Sequence, residues 1–331
     1  MKRLLQLFIS FSISAIAIWV IFSQKINLND VIYSLQNAKL IFLIFSIFFL
    51  ICSMWAISKR WALLLNSNNK INNTQLTSAL WIGYFGNVIL PFRLGEIIRG
   101  YIVSEKAEIS FVYVITTIFI EKIFDIGILL FLLLIVNFTY PLPLWIQYIT
   151  EFAALVFIIL FFLVLLFILK KGYFFKLIFS IQSISNRYFN IPVEKWFQSF
   201  ILALRSVNNP IIILKIIGWS LTIWSFGFLL NCCIIWSLGI EPWFFVSILS
   251  QIVLNLGMAI PSMPGYVGVY HFLAIATLTI FNINPSIALS YAILSHFIMF
   301  GSFTIGGIIA LFLTEISITK LYKQVITIKS K

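Results

Sequence analysis

The chain has 331 residues, of which 62% are hydrophobic and only 10% are charged. Soluble domains carry roughly 25% charged residues, so this composition excludes a water-soluble globular fold. The net charge of +12 does not indicate a nucleic-acid-binding protein, because the basic residues flank apolar segments. In that position they attract anionic headgroups and fix the orientation of a membrane protein.

Six apolar runs are each long enough to cross a bilayer core of about 30 Å. The first run, residues 4–23, has the length of a spanning helix and is longer than the roughly 7–15 residues of a signal peptide core. No small-x-small cleavage site follows it. We therefore interpret it as a retained span. Residues 26–38, after it, place apolar side chains on one face and predict a short interfacial helix. The runs cover residues 4–23, 40–58, 111–136, 148–169, 211–238 and 286–313.

The charges of two loops predict the orientation. Residues 137–147 contain no charged side chain, whereas residues 170–205 carry six basic residues and one acidic residue. The positive-inside rule makes the first loop external and the second cytoplasmic, which places both termini in the cytoplasm. The apolar stripe that begins at Trp196 predicts an amphipathic, surface-lying helix within the second loop. We expect the plasma membrane of a bacterium or archaeon.

Two further apolar segments, residues 76–103 and 243–282, are interrupted near the middle. Both interruptions have the pattern Pro-x-x-x-Gly, at Pro91 to Gly95 and at Pro261 to Gly265. Proline removes a backbone donor, and glycine permits a sharp reversal. Non-helical backbone at membrane depth is tolerated only where protein or a water-filled cavity covers it. These segments are predicted to be re-entrant hairpins, with ordinary pairs of short spans as the alternative.

Each break lies between two spans, so the chain contains two similar units, about 40–136 and 211–313. Under the predicted orientation the units run in opposite directions, which is the inverted repeat that many transporters use to build a midplane site. The predicted fold is an all-α polytopic membrane protein with six full spans and two broken re-entrant hairpins. Residues 1–331 form one transmembrane domain, with the cytoplasmic loop 170–205 between the units.

The motifs resemble those of a known family. Gly86-Asn87-Val88-Ile89-Leu90-Pro91-Phe92-Arg93-Leu94-Gly95-Glu96-Ile97-Ile98-Arg99 resembles a signature of the flippase-like family typified by the lysylphosphatidylglycerol synthase transmembrane region. Glu121-Lys122-Ile123-Phe124-Asp125 resembles the Glu-Arg-x-x-Asp element of that family, with lysine in place of arginine. Lysine lacks the bidentate grip of arginine on a carboxylate or phosphate. Residues 261–268 resemble its Pro-x-x-Pro-Gly-x-x-Gly element.

The resemblance implies an integral membrane protein that handles lipids or lipid-linked glycans. Full-length synthases of that family add a soluble aminoacyl-transferase domain after this region. Here only residues 314–331 follow the last predicted span, so we expect no synthesis of lysyl-lipid by this chain alone. A soluble partner enzyme is a possible companion.

Charged residues near the first break are the candidate site. Glu121 and Asp125 lie near the middle of run 111–136 and on one helical face. A charge at that depth costs at least ~2.5–3.5 kcal/mol, which makes it a functional candidate by default. Around the first break, three positive and three negative side chains sum to zero: Arg93, Arg99 and Lys122 against Glu96, Glu121 and Asp125. Such a set is expected in a neutral buried network or in an anion site. The predicted substrate-binding residues are Pro91, Arg93, Gly95, Glu96, Arg99, Glu121, Asp125, Pro264 and Gly265.

The sequence predicts that Arg93 and Arg99 lie near a helix start and bind an anionic headgroup. In the absence of substrate, Glu121 and Asp125 would occupy the arginines. Four other polar residues near the breaks or in spans are predicted to have structural roles: Asn87, Asn255, His271 and His296.

Enzymatic functions are disfavoured. Asp30 and Asp125 are the only aspartates, too few for the clustered carboxylates of a metal-dependent transferase. The sequence has no nucleotide-binding loop, zinc-protease motif or nucleophile elbow. We therefore expect no catalytic residue, metal or cofactor. The predicted function is movement of an anionic phospholipid or polyprenyl-phosphate-linked glycan between leaflets without ATP. The alternative is a membrane subunit or scaffold that supplies a lipid site to a partner enzyme.

Overall fold

The computed structural model describes residues 2–23, 26–65, 71–90, 93–169, 193–205, 207, 209–241, 243–258 and 262–314, and no strand occurs among them. A 3₁₀ turn, Pro264–Tyr266, lies between the tenth and eleventh helices. The helices are α1 (Lys2–Ser23), α2 (Leu28–Gln36), α3 (Leu40–Leu65), α4 (Asn73–Ile89), α5 (Leu94–Ala107), α6 (Phe111–Thr139), α7 (Leu144–Leu169), α8 (Val193–Arg205), α9 (Pro210–Ser237), α10 (Trp243–Gly257), α11 (Val269–Thr279) and α12 (Pro285–Thr314).

Each of the six predicted runs coincides with one helix, namely α1, α3, α6, α7, α9 and α12. By length and composition, three helices in the described part of the chain, α3, α9 and α12, are able to cross a membrane. The bent pair of α1 and α2, at 96° to each other, makes a fourth if it is one span. The all-helical fold and these spans agree with the predicted membrane class. The count of six spans stays a prediction.

The longest helix contact joins α3 to α9 along much of their length. It is lined by aromatic pairs, including Trp55 with Trp219 at 5.3 Å and Phe49 with Phe226 at 6.2 Å between ring centroids. At one end, the Lys39 N–H donates to the Ser237 carbonyl at 3.0 Å. These contacts fix the two helices against each other and form one side of the site described below.

A second close contact joins α4 to α12. Gly306 and Gly307 lie directly against Trp81 and Phe85, and a Cβ atom on either glycine would overlap those side chains. Small residues of this kind allow helix backbones to approach closely in membranes, where dispersion contacts replace the hydrophobic driving force.

The two interrupted segments form helical hairpins, α4 with α5 and α10 with α11. Their helices have 17, 14, 15 and 11 residues, each shorter than the about 20 residues of a full span. The hairpins meet at their breaks. Gly265 of the second break lies so close to the end of α4 that an ideal Cβ on it would be 3.7 Å from the Val88 carbonyl oxygen. The first helix supports the second break, where the Met263 N–H donates to the Ser14 hydroxyl at 3.0 Å.

The predicted amphipathic helix in the loop 170–205 corresponds to α8, while residues 170–192 lie outside the described residues. Its helix packs against α6. Phe197 and Leu204 are buried, whereas Trp196 and Leu202 are exposed. One part of the apolar stripe therefore packs against α6, and the other part lies at the surface of the protein. The helix predicted within residues 26–38 is found as α2, whose first turn is capped by Asn27, and its location at the membrane interface stays a prediction.

The close contact of α4 with α12 predicts that alanine substitutions at two glycines of α12 change the stability of the protein differently. Gly307→Ala places a methyl group against Phe85 and should lower the free energy of unfolding by about 1–3 kcal/mol, as expected for overpacking. Gly301, which has no atom within 4 Å of its ideal Cβ, is the control, and Gly301→Ala should leave the free energy unchanged or raise it. Thermal unfolding of both variants in one detergent measures this. Equal midpoints would contradict the contact.

The predicted orientation is testable at the two ends of α6, where Ser110 and Pro141 are exposed. In a variant with Cys52, Cys232 and Cys233 replaced by alanine, Pro141→Cys should react with an impermeant thiol reagent in intact cells. Ser110→Cys should react only after lysis, because it would face the cytoplasm. The reverse labelling pattern would overturn the predicted orientation.

Candidate functional site

The first break separates α4 from α5. The last turn of α4 ends at Leu90, whose N–H donates to the Gly86 carbonyl at 2.8 Å. Pro91, one of the predicted site residues, lies outside the described residues. Arg93 precedes α5 in a left-handed conformation, φ 53° and ψ 35°, which is uncommon for a residue other than glycine. A Cβ on Gly95 would overlap the Gly83 carbonyl, so only glycine permits this approach of α5 to α4.

The second break contains Pro264 and Gly265, which lie in the 3₁₀ turn. Gly265 has φ 69°, a conformation that glycine adopts without a steric penalty. Its carbonyl lies 2.7 Å from His296 Nε2 on α12. The His271 ring is 4.8 Å from the His296 ring. This hydrogen bond connects the break to α12, in agreement with the structural role predicted for His296.

Arg60 on α3 is the centre of the charged network. Its Nη1 donates to Asp125 Oδ1 at 2.6 Å and its Nη2 to Asp125 Oδ2 at 3.2 Å, a bidentate pair. The same Nη2 donates to Glu121 Oε1 at 2.8 Å. Its Nη1 also donates to the Ser220 hydroxyl at 2.8 Å. One buried guanidinium therefore holds α3, α6 and α9 together.

Arg99 is buried behind this group. Its Nε donates to Glu96 Oε2 at 2.6 Å and its Nη2 to Glu121 Oε2 at 3.1 Å. The guanidinium lies 4.7 Å from the centre of the Trp61 ring, a distance typical of a cation–π contact. The side chain is only 2% exposed. Arg99 is therefore paired with internal carboxylates, and its predicted contact with a headgroup stays a prediction.

Lys122 completes the network, with its Nζ 3.3 Å from Glu96 Oε1. Its side chain is 32% exposed, compared with 18% for Glu96. The lysine therefore reaches the surface of the network, while Arg99, which pairs with the same carboxylate, lies below it.

The charge count differs from the one that the sequence predicted. With Arg60 included, four positive groups face three carboxylates, Glu96, Glu121 and Asp125, which leaves a net charge of +1. Among the described residues, each of these carboxylates is in an ion pair and Arg93 is in none. Arg93 instead interacts with the Tyr266 hydroxyl of the second break. The excess positive charge is therefore located at Arg93.

The network and both breaks border one cavity of about 310 Å³. Its lining includes residues of both hairpins and of α3, α6, α9 and α12. The charged residues among them are Arg60, Arg93, Glu96, Lys122 and Asp125. Arg99 and Glu121 lie behind this wall. Of the other predicted site residues, Gly95, Pro264 and Gly265 form the backbone of the breaks and do not line the cavity.

The sequence did not indicate Arg60 as a site residue, because it follows the predicted span 40–58 and stands beside Lys59. A basic pair at the end of a span is typical of cytoplasmic flanking residues. In the structure α3 continues to Leu65, which places Arg60 within the helix and among buried residues. The apolar residues Trp61 to Leu65, directly after the basic pair, were the sequence signal for this extension.

Comparison with known proteins agrees with the predicted membrane class. The family model described as "Lysylphosphatidylglycerol synthase TM region" matches residues 7–307. The chain belongs to this family. It is an integral membrane protein, as its apolar helices also indicate.

One relative is the UPF0104 membrane protein MJ1078 of Methanocaldococcus jannaschii. It is 29% identical over 243 residues, which cover 71% of this chain and 97% of the relative. No solved structure matches the chain.

The network predicts which residues are energetically coupled. Asp125→Asn should lower the free energy of unfolding by about 3–5 kcal/mol, because the buried charge of Arg60 loses its main partner. Adding Arg60→Gln should recover part of that loss. Thermal or denaturant unfolding of the single and double variants gives the coupling energy of the two residues in a double-mutant cycle.

Lys59 provides the matched control, because this neighbouring cation lies over the Trp55 ring at 5.7 Å and forms no ion pair among the described residues. Asp125→Asn with Lys59→Gln should be additive. Strict additivity of the Asp125 and Arg60 substitutions would show that the two residues do not stabilise each other.

Proposed function

We propose that this protein moves an anionic lipid, or a lipid-linked glycan, between membrane leaflets without ATP, and that its central cavity shelters the headgroup. The observation that supports this most directly is the net positive charge of the cluster, located at Arg93. A protein that only needed a stable core would gain nothing from an extra cation beside a cavity, because an unpaired charge at membrane depth is costly.

A phosphate group fits the chemistry around Arg93. A guanidinium binds phosphate oxygens in a bidentate manner, which makes arginine suitable for this anion. The first turn of α5 follows directly, and the Arg93 side chain does not cap it. The free N–H groups and the dipole at a helix start add attraction for an anion. Lys122, at the surface of the network, supplies a second, more flexible cation.

The paired residues have a different role in this proposal. Arg60 and Asp125 form the floor of the cavity, Arg99 and Glu121 lie behind it, and the four residues neutralise one another. The floor holds α5 and α6 in position, and Arg93 is left free to exchange its contact with Tyr266 for a contact with a ligand.

The proposed path uses the six-span, inverted-repeat topology. The hairpin α4–α5 would enter from the cytoplasm and α10–α11 from outside, and the approach of Gly265 to Val88 supports a meeting of the two breaks near the midplane. Acyl chains are able to stay in the bilayer while the headgroup crosses through the cavity. No bond is made or broken in this process, and the expected location is the plasma membrane with both termini cytoplasmic.

A second candidate function follows from the description of the family, which names a region of a synthase. In this function the chain is a membrane subunit or scaffold that presents an anionic lipid to a soluble partner enzyme. The same cavity would bind the lipid, but exchange between leaflets would require the partner or would not occur.

The proposal predicts the effect of removing the excess charge. Arg93→Gln should weaken the binding of anionic lipids by about tenfold, because a hydrogen bond to a charged group contributes about 1.5–3 kcal/mol. It should slow leaflet exchange of a labelled anionic phospholipid in proteoliposomes to a similar extent. Thermal stability should change little, because Arg93 has no ion-pair partner in the described part of the chain.

Lys106→Gln is the control, since this cation lies at the opposite end of α5. It should leave both binding and exchange unchanged. Wild-type exchange no faster than in empty liposomes would refute the translocator, while retained binding would then favour the subunit function. Unchanged binding in folded Arg93→Gln would refute the headgroup site itself.

A further inference from the structure

The chain contains two histidines, His271 and His296, and both lie beside the second break. His271 is on α11 and His296 is on α12, and their ring centroids are 4.8 Å apart. The Tyr270 ring faces both of them, at 6.0 Å from the His271 ring and 5.2 Å from the His296 ring. Both histidines are only partly buried, so neither ring is sealed inside the protein. The fold thus brings the two imidazoles of the chain into contact.

The hydrogen bond of His296 fixes its tautomer. A carbonyl oxygen only accepts hydrogen bonds, so the Nε2 atom that lies 2.7 Å from the Gly265 carbonyl oxygen carries the proton. In the neutral ring the other nitrogen, Nδ1, is then the basic atom. A second proton on Nδ1 would leave the bond to Gly265 in place, because Nε2 donates in both states. Protonation of His296 is therefore compatible with the geometry of the break.

The surroundings of the two rings limit the pair to one proton. Two imidazolium rings at 4.8 Å would repel each other strongly at membrane depth, so one ring must stay neutral. A single positive charge is accommodated better, since the Phe300 ring is stacked on His296 at 4.2 Å between centroids and an aromatic face attracts a cation. Phe300 also lines the cavity. One aromatic ring therefore connects the pair to the cavity.

A proton on this pair has no counter-ion among the described residues. The helices α4, α10, α11 and α12 contain no charged residue. Tyr270 is the titratable group that faces both rings, and a phenol is neutral at physiological pH. The helices α2, α3 and α9 also contact α12. They carry four charged residues, none of which pairs with either imidazole in the described part of the chain: Asp30, Lys59, Arg60 and Lys215.

The first helix also brings no charge to the pair. It reaches the second break through the uncharged Ser14. Its basic residues, Lys2 and Arg3, lie in its first turn, about three helical turns before Ser14.

Arg93 is the charged group that does contact the second break. It interacts with the Tyr266 hydroxyl, while His296 binds the carbonyl of the preceding residue, Gly265. A cation on the pair and the cation of Arg93 would therefore act on adjacent residues of one turn and repel each other. An anion bound to Arg93 would cancel that repulsion. Binding of an anion and binding of a proton should then favour each other, and the coupling is reciprocal.

We propose that His271 and His296 form a proton-binding site that takes up one proton from water when an anionic headgroup binds at Arg93. The proton goes to Nδ1 of His296 and returns to water when the headgroup leaves. This site rests on the proposed function, which places the anion at Arg93, and it adds proton coupling to that function. The lipid and one proton then move in the same direction, so that a pH gradient, rather than ATP, biases the direction of exchange.

Isothermal titration calorimetry of the purified full chain with short-chain phosphatidylglycerol tests the site. The measurements run from about pH 5.5 to about pH 8.5, a range that brackets the ordinary titration of histidine and in which this phosphodiester keeps its charge. The affinity of wild type should be highest at acidic pH and should fall about fivefold or more as the pH rises, as in typical coupling between two sites. Buffers of different ionisation enthalpy count the protons, and up to one should be taken up per lipid.

Two variants assign the proton to the pair. His296→Gln keeps a donor for the Gly265 carbonyl and removes the titrating ring, so it should abolish proton uptake and bind at all pH values as wild type does at alkaline pH. His271→Phe removes the second ring and should lower the uptake, which keeps the test decisive if His296→Gln fails to fold. Tyr270→Phe is the control, because this residue faces both rings and does not line the cavity. It should keep the pH dependence of wild type.

Failure of the proton site and failure of the proposed function give different results. Binding of phosphatidylglycerol that does not change with pH, or wild-type proton uptake in folded His296→Gln, would overturn the proton site alone. Arg93→Gln should instead weaken binding at every pH. No binding by wild type at any pH would refute the headgroup site and the proton uptake that depends on it.

Discussion

The pairing of Arg60 with Glu121 and Asp125 determines the arrangement of the rest of the site. A guanidinium that is only 1% exposed must be matched by carboxylates, because an isolated charge at membrane depth would be too costly to bury. The pairing brings α3 and α6 together, and the hydrogen bond to Ser220 adds α9. Glu121 then reaches Arg99 on the other side, which connects α5. Four helices are therefore positioned around one chain of alternating charges.

This chain of charges also explains why the cavity has an excess of positive charge. Each of the three carboxylates of the network is shared between two cations or is bound in bidentate fashion, so none of these three neutralises Arg93. The left-handed backbone at Arg93 is consistent with a site whose geometry is imposed by its surroundings, since conformations of this kind persist where the surrounding fold fixes them.

Much of the fold was predictable from hydrophobic runs and from the Pro-x-x-x-Gly breaks, because both follow directly from backbone chemistry. Glu121, Asp125 and Glu96 were also identified, since charges in apolar runs are rare. Arg99 and Lys122, which pair with two of them, were identified as well, but Arg60 was not. Arg60 stands where flanking cations are common, and the two histidines, which are far apart in sequence, meet only through the packing of α11 against α12. A contact of this kind has no signature in sequence, because it depends on what the fold places nearby.

The glycines of α12 have a consequence for motion. Trp81 and Phe85 rest directly on Gly306 and Gly307, so α4 lacks the clearance to slide along α12 without driving a ring into the neighbouring backbone. The two helices come from opposite halves of the chain, so this contact fixes one half against the other. A shift of α4 along α12 would first have to move both aromatic rings away from the glycine backbone.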